Sequence, residues 1–250
     1  MNEVLAALHA RKSVRVYTGA PISEADRAAI LQAAVAAPTA GCQQLYTILD
    51  IRDRDLKNKL AVSCDNQPFI AKAEMVLVFC ADCKKWQDAY RAAGCSPRDP
   101  GVGDLMLAIC DAVIAAQNAV TAAESLGIGS CYIGDIMERR AEQRALLHLP
   151  KHVFPAAMLV LGYPTEQQKQ RAKPPRFPME HIVHENTYRD MDEEELRAMF
   201  AGRMGGDSFE HFLTAFCGRK YNSEFSREMT RSVAEYLTEY EGPFSSADQG

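Results

Sequence analysis

The run Arg11-Lys12-Ser13-Val14-Arg15 packs three cations and a hydroxyl into five residues near the start of the chain. Arginine brings a planar fork of donors, lysine a compact charge and serine a short hydroxyl, a set suited to an anion such as a phosphate. Just before it, Val4, Leu5 and Leu8 recur at helical spacing, so the cluster is expected at a helix C-terminus. Cations are favoured there even without a ligand. What the cluster serves therefore depends on the elements that follow it.

Outward from the cluster, Ser23 with Asp26 three residues on forms a capping pattern for a helix running to about Ala36, closed by Pro38. Thr39 to Gln44 is a small, polar turn leading into a strand from Leu45 to Ile51. Helical spacing covers 52–62, and a turn at Cys64 to Pro68 opens a short helix through Ala71. Met75 to Cys80 is a continuous apolar run of strand length, the pattern of a strand buried on both faces. A helix is expected over 84–93 and a long one, apolar nearly all round and therefore central, over 104–126. Ser130 to Ile136 reads as a short strand and turn, 138–147 as a helix, and Ala156 to Leu161 as the last core strand. The basic, proline-rich stretch 165–178 is expected to be extended over a surface. Three helical stretches follow, joined in part by the glycine-rich 202–207. Strands alternating with helices indicate an α/β or α+β domain in which helices cover a sheet.

With 250 residues, 47% of them hydrophobic, the chain suits one globular domain or a domain with an extension. A net charge of -5 argues against general nucleic-acid binding. No apolar stretch follows a basic N-terminal region, and the apolar region Leu105 to Val120 is interrupted by Asp111, Gln117 and Asn118. A cytoplasmic protein with no membrane segment is expected. Several of the 8 cysteines sit within apolar runs and read as small buried hydrophobes. Cys80 and Cys83 form a lone CxxC without companion ligands, so no metal site is expected. Neither a dinucleotide GxGxxG nor a Walker lysine motif, a GxSxG elbow or an HExxH appears, so any nucleotide cofactor must be held differently.

Six segments in this order, Arg11–Arg15, Ala37–Gln44, Asn66–Ala73, Glu124–Ile136, Leu161–Pro164 and Lys173–Pro178, resemble the FMN-dependent nitroreductase family. The resemblance is closest to NAD(P)H:flavin and nitro reductases with an extended C-terminal helical region, and it covers about residues 4 to 240. It implies an α+β fold with a central mixed β-sheet packed by helices, a long central helix, and FMN sites at a homodimer interface. It also implies a core over 1–190 and a helical extension over 191–241, and by its position at the chain end 242–250 is expected to be a disordered tail. Arg11, Lys12 and Ser13 would hold the phosphate and ribityl end, joined by Lys173 and Arg176, with Arg171 as the alternative to Lys173. FMN's phosphate carries about −1.5 to −2 charge, which calls for several cations. Arg15 would support the ring edge where charge builds on reduction. Gln67 would bond the pyrimidine edge, and Thr39, Ala40, Gly41 and Gln44 would approach from the neighbouring subunit. Tyr132, Ile133, Gly134 and Asp135 would line the ring near N5, Asp135 standing where the family often has a second glycine.

The function implied is a ping-pong oxidoreductase that takes hydride from NADPH or NADH and reduces a small-molecule acceptor such as a nitroaromatic, a quinone or a free flavin. No acid–base side chain is required. Arg203, the one cation of the glycine-rich loop, is assigned to the 2′-phosphate of NADPH. The rival readings are dehalogenation or flavin fragmentation on the same fold, and a flavin-binding protein without turnover.

Overall fold

The computed structural model describes residues 2–241; the tail expected over 242–250 lies outside the described residues. In chain order the elements are α1 (Glu3–Ala10), α2 (Glu24–Val35), β1 (Tyr46–Ile51), α3 (Arg54–Ser63), α4 (Pro68–Ala71), β2 (Met75–Asp82), α5 (Lys84–Ala92), α6 (Val102–Ser125), β3 (Gly129–Ile133), α7 (Arg140–Leu147), β4 (Val153–Gly162), α8 (Glu166–Gln170), α9 (Glu193–Phe200), α10 (Phe209–Lys220) and α11 (Glu224–Leu237). They fall into two compact units. One holds the residues up to Arg171 and those from Glu228 onward; the other is Ala172–Arg227.

The first unit is built on a four-stranded sheet in the order β1-β2-β4-β3. All three pairings are antiparallel. The mixed sheet that was expected is thus antiparallel throughout its strands. Its parallel component is an isolated bridge between Ser13 and Ser130, because the Arg11–Arg15 segment runs alongside β3 for too short a distance to form a strand. Strand β2 is buried over its whole length, as its unbroken apolar run requires. Its alternate residues serve two cores. Met75, Leu77 and Phe79 pack toward α2 and α6, whereas Val76, Val78 and Cys80 pack toward α3 and α7.

The alanine stripe of α6, including Ala108, Ala112, Ala115 and Ala119, is fully buried against the sheet; small side chains let the two backbones approach closely. The opposite side of α6 is exposed at Met106, Leu107, Val113 and Ile114. The helix expected to be buried all round therefore has one open apolar side. By length and composition alone it would also pass for a membrane span. Its buried stripe, however, carries Asp111, whose carboxylate is saturated with hydrogen bonds from the chain, which is the packing of a core helix.

The stretch expected to be extended after β4 instead begins with a helix, α8. Thr165 caps it by accepting from the Gln168 amide at 3.4 Å. From Glu228 onward the chain is stitched to the sheet unit. Tyr236 packs edge-on against Phe154 with centroids 5.0 Å apart, and the Glu239 carboxylate pairs with Arg140 and Arg144. The second unit has a small aromatic centre in which Phe200 packs against Phe177, Phe209 and Phe212.

Candidate active site

The Arg11–Arg15 segment is laid across two glycines that face each other in the sheet. Gly129 of β3 and Gly162 of β4 are register partners. A Cβ on Gly129 would lie 2.5 Å from a Val14 methyl, and one on Gly162 would lie 2.7 Å from the Tyr17 ring. The bare backbone at these two positions is what lets Val14 and Tyr17 sit flat on the sheet. Hydrogen bonds from the Val14 amide to Ser130 O and from the Thr18 amide to Tyr163 O, both 2.9 Å, hold the segment at its two ends. With Val14 buried, its neighbours Ser13 and Arg15 are directed elsewhere, as an extended segment requires.

Arg11 caps the C-terminus of α1, donating its own amide to Ala7 O. Its Nη1 is buried without a partner among the described residues, and so is Ser130 Oγ. A buried guanidinium nitrogen without an acceptor is costly unless an anion completes it. Lys12 is engaged by the chain itself: its Nζ donates to the carbonyls of Lys169 and Arg171, at 2.6 and 2.5 Å, closing the end of α8. The Arg15 amide donates to Gln168 Oε1 at 3.2 Å, and the Arg15 guanidinium lies over the Phe69 ring, 5.8 Å from its centroid. Between them opens a cavity of about 430 Å³ whose lining includes Arg15, Tyr17, Phe69 and Lys72.

Gln67 precedes α4 and is half-buried. Its Nε2 donates to Cys64 O at 2.9 Å and to Asp135 Oδ2 at 3.0 Å. Asp135 thus meets Gln67 in the turn that follows β3. Tyr132 of β3 donates to Gln117 Oε1 at 3.4 Å; burial pushes its phenol up to about 12, against the pull of nearby Arg11. Ile133 is buried in the sheet, and Gly134 is exposed in the turn, with Met137 Cε the nearest atom to an added Cβ, at 4.0 Å.

Thr39, Ala40, Gly41 and Gln44 belong to a separate construction. Gly41, Cys42 and Gln44 all have positive φ, at 54, 57 and 49°, an unfavourable backbone for the two non-glycines. The turn is held by Asp111 of α6, itself 2% exposed. Its Oδ1 accepts from the Ala40 amide at 2.9 Å, and its Oδ2 accepts from the Leu45 amide at 3.1 Å and from the Thr39 hydroxyl. Thr39 Oγ1 in turn accepts from the Gln44 amide at 2.8 Å.

In the second unit, Lys173 is half-buried, the Arg176 guanidinium donates to Pro174 O at 3.4 Å, and the Arg203 guanidinium stacks over Phe177, 4.7 Å from the ring centroid.

Three residues at these places carried no sequence motif. Asp111 looked like an interruption in an apolar helix; a lone carboxylate inside a buried stripe was the available signal. Gln168 is the residue to which the Thr165 cap bonds. Glu138 is 4% exposed, and one of its oxygens is buried without a partner among the described residues. Burial, then Asp135, Asp65 and Glu228, raise its carboxyl to about 7, against Arg139.

The fold and the site together define an α+β sheet unit with a cationic segment laid over Gly129 and Gly162, in which Arg11 Nη1 has no hydrogen-bond partner among the described residues. The signature described as the nitroreductase family matches residues 8–163, and the chain belongs to that family. It is 31% identical over 238 residues to the FMN reductase (NAD(P)H) of Bacillus subtilis strain 168, covering 94% of this chain and 91% of that one. It is 32% identical over 244 residues to the oxygen-insensitive NADPH nitroreductase of Salmonella typhimurium, covering 96% of each. Among solved structures, the NADPH:FMN oxidoreductase of Vibrio harveyi complexed with NAD+ superposes with a TM-score of 0.78 at 27% identity, over 94% of this chain and 98% of that one.

Proposed function

We propose that this protein is an FMN-dependent oxidoreductase that draws electrons from NAD(P)H and reduces a small-molecule acceptor: a nitroaromatic, a quinone or a free flavin. The observation that carries the reading is the buried, unpartnered Nη1 of Arg11 at the start of a segment held down over Gly129 and Gly162. That donor set fits a phosphorylated flavin. FMN, when bound, supplies two-electron chemistry, accepting hydride from the nicotinamide and passing electrons to the second substrate in turn.

The chain's own residues bind, orient and shield. Arg11 and Ser13 would take the phosphate and ribityl end, with Lys12 fixing the end of α8 beside them. Lys173 and Arg176 are assigned to the same phosphate on the family resemblance. Arg15, exposed and stacked on Phe69, would place a permanent charge at the ring edge where negative charge builds. Gln67 and the backbone of Gly134 and Asp135 would border the ring.

The functional unit is proposed to be a homodimer. The exposed apolar side of α6, together with Val4, Leu5 and Leu8 of α1, supports a second copy as its cover. The Asp111-anchored turn would then reach the partner's cofactor. The eight cysteines are all unpaired, in keeping with a reducing, cytoplasmic setting. The similarity to reductases over almost the whole chain favours NAD(P)H-dependent reduction over both rival readings.

The test is the absorbance spectrum of the purified protein before and after anaerobic NADPH, with chromatography of the heat-released cofactor. A flavin spectrum bleached by NADPH, with FMN released, is expected. A colourless protein that takes up no FMN, or a released cofactor that migrates as FAD, would overturn the reading.

A further inference from the structure

A glutamine amide has two N–H donors and one carbonyl acceptor. In Gln67 both donors face the protein: Nε2 reaches Cys64 O at 2.9 Å and Asp135 Oδ2 at 3.0 Å. A carboxylate accepts and does not donate, so the side of the amide facing Asp135 must be its nitrogen. The carbonyl oxygen is then the only group of Gln67 left for a ligand. The Cys64 thiol, next to this pair, is pushed up to about 12 by burial and then by Asp135, which places the carboxylate's field at the same spot. Gly134, beside Asp135, leaves the turn open toward an incoming ring.

We infer that Asp135 is a positioning residue: it fixes the Gln67 amide so that the site presents an acceptor and selects a ring whose edge carries an N–H donor. On the FMN reading, on which this inference rests, that donor is the imide N–H of the isoalloxazine. Without Asp135 only the Cys64 carbonyl holds the amide nitrogen in place, and the turned-over amide, which offers N–H groups instead, is disfavoured less.

The experiment is a fluorescence titration of the full-length protein with FMN and with N3-methyl-FMN, which lacks that donor. Wild type should prefer FMN by about tenfold or more, the size of leaving one buried acceptor unpaired. Asp135→Asn, whose side chain can face Gln67 with either end, should lose most of the preference while keeping its melting temperature. Asp135→Gly, which deletes the partner outright, should show the same loss, so the test does not depend on one variant folding. Gln67→Ala should abolish the preference, and adding Asp135→Asn to it should change nothing further.

A wild type that binds neither compound overturns the FMN reading itself. A wild type that binds FMN without preferring it, an undiminished preference in both Asp135 variants, or an additional loss on top of Gln67→Ala overturns the role of Asp135 and leaves the FMN reading standing.

Discussion

Replacing Glu138 by glutamine isolates one buried carboxyl whose cost depends on pH. Glu138 is 4% exposed, its Oε1 has no partner, and its acid neighbours Asp135, Asp65 and Glu228 outweigh Arg139. Its carboxyl therefore rises from 4.5 to about 7 in the folded protein. A raised native value means that the folded state binds the proton more tightly than the unfolded chain does. The corresponding stability is fully present below about pH 4.5 and is lost as the pH rises through about 7. At about 1.4 kcal/mol per tenfold, the rise is worth about 3 kcal/mol at most. Solvent around exposed Asp65 and half-buried Glu228 screens part of it, so a net effect of about 1–2 kcal/mol is expected. Glutamine keeps the shape and cannot ionise. Glu138→Gln should therefore match wild type at pH 4.5 and be more stable at pH 8, with a melting temperature higher by a few degrees. Urea or thermal unfolding of both proteins at half-unit steps from pH 4.5 to 8 measures this. A stability difference that is constant across the range, or that grows toward acid pH, would refute the reasoning.

Gly129→Ala brings a Cβ within 2.5 Å of a Val14 methyl and 2.8 Å of Val14 Cβ; it should destabilise by about 1–3 kcal/mol and release bound flavin, read by unfolding and by the flavin content of the purified protein. Asp111→Ala leaves the buried Leu45 amide without its acceptor, a loss of about 1–3 kcal/mol in urea unfolding, accompanied by new proteolytic cleavage within 39–45. Arg203→Ala should lower kcat/KM for NADPH and leave NADH nearly unchanged, because only NADPH offers a 2′-phosphate to a guanidinium; equal losses for the two nicotinamides would remove Arg203 from that role.

The parts of the fold that were legible are those decided within a few residues. Ser23 caps α2 by accepting from the Asp26 amide at 3.0 Å, and the unbroken apolar run at Met75 becomes the strand buried on both faces. Both depend on local hydrogen bonding or on local hydrophobic pattern. Strand direction is different: β2 pairs with β1 on one side and β4 on the other, and no local pattern states which partner lies there. The same holds for Gly129 and Gly162, whose meaning comes from Val14 and Tyr17, more than 100 residues away in sequence.

The candidate site shows the same division more sharply. Arg11, Ser13 and Arg15 stand out because charge crowds into a short run, and charge density is a local property. Asp111 and Glu138 do not stand out, because a single carboxylate in an apolar or mixed helix has the same appearance whether it is solvated or buried. What distinguishes them is the number of donors that the rest of the chain brings to each. Asp111 receives three, from Thr39, Ala40 and Leu45, and becomes the anchor of a strained turn. Glu138 has an oxygen that receives none, and it is surrounded by other acids. Folding thus makes one acid a structural brace and leaves the other holding its proton near neutrality. That difference is set by long-range contacts, and it can be measured as a loss of stability in Asp111→Ala beside a pH-dependent gain in Glu138→Gln.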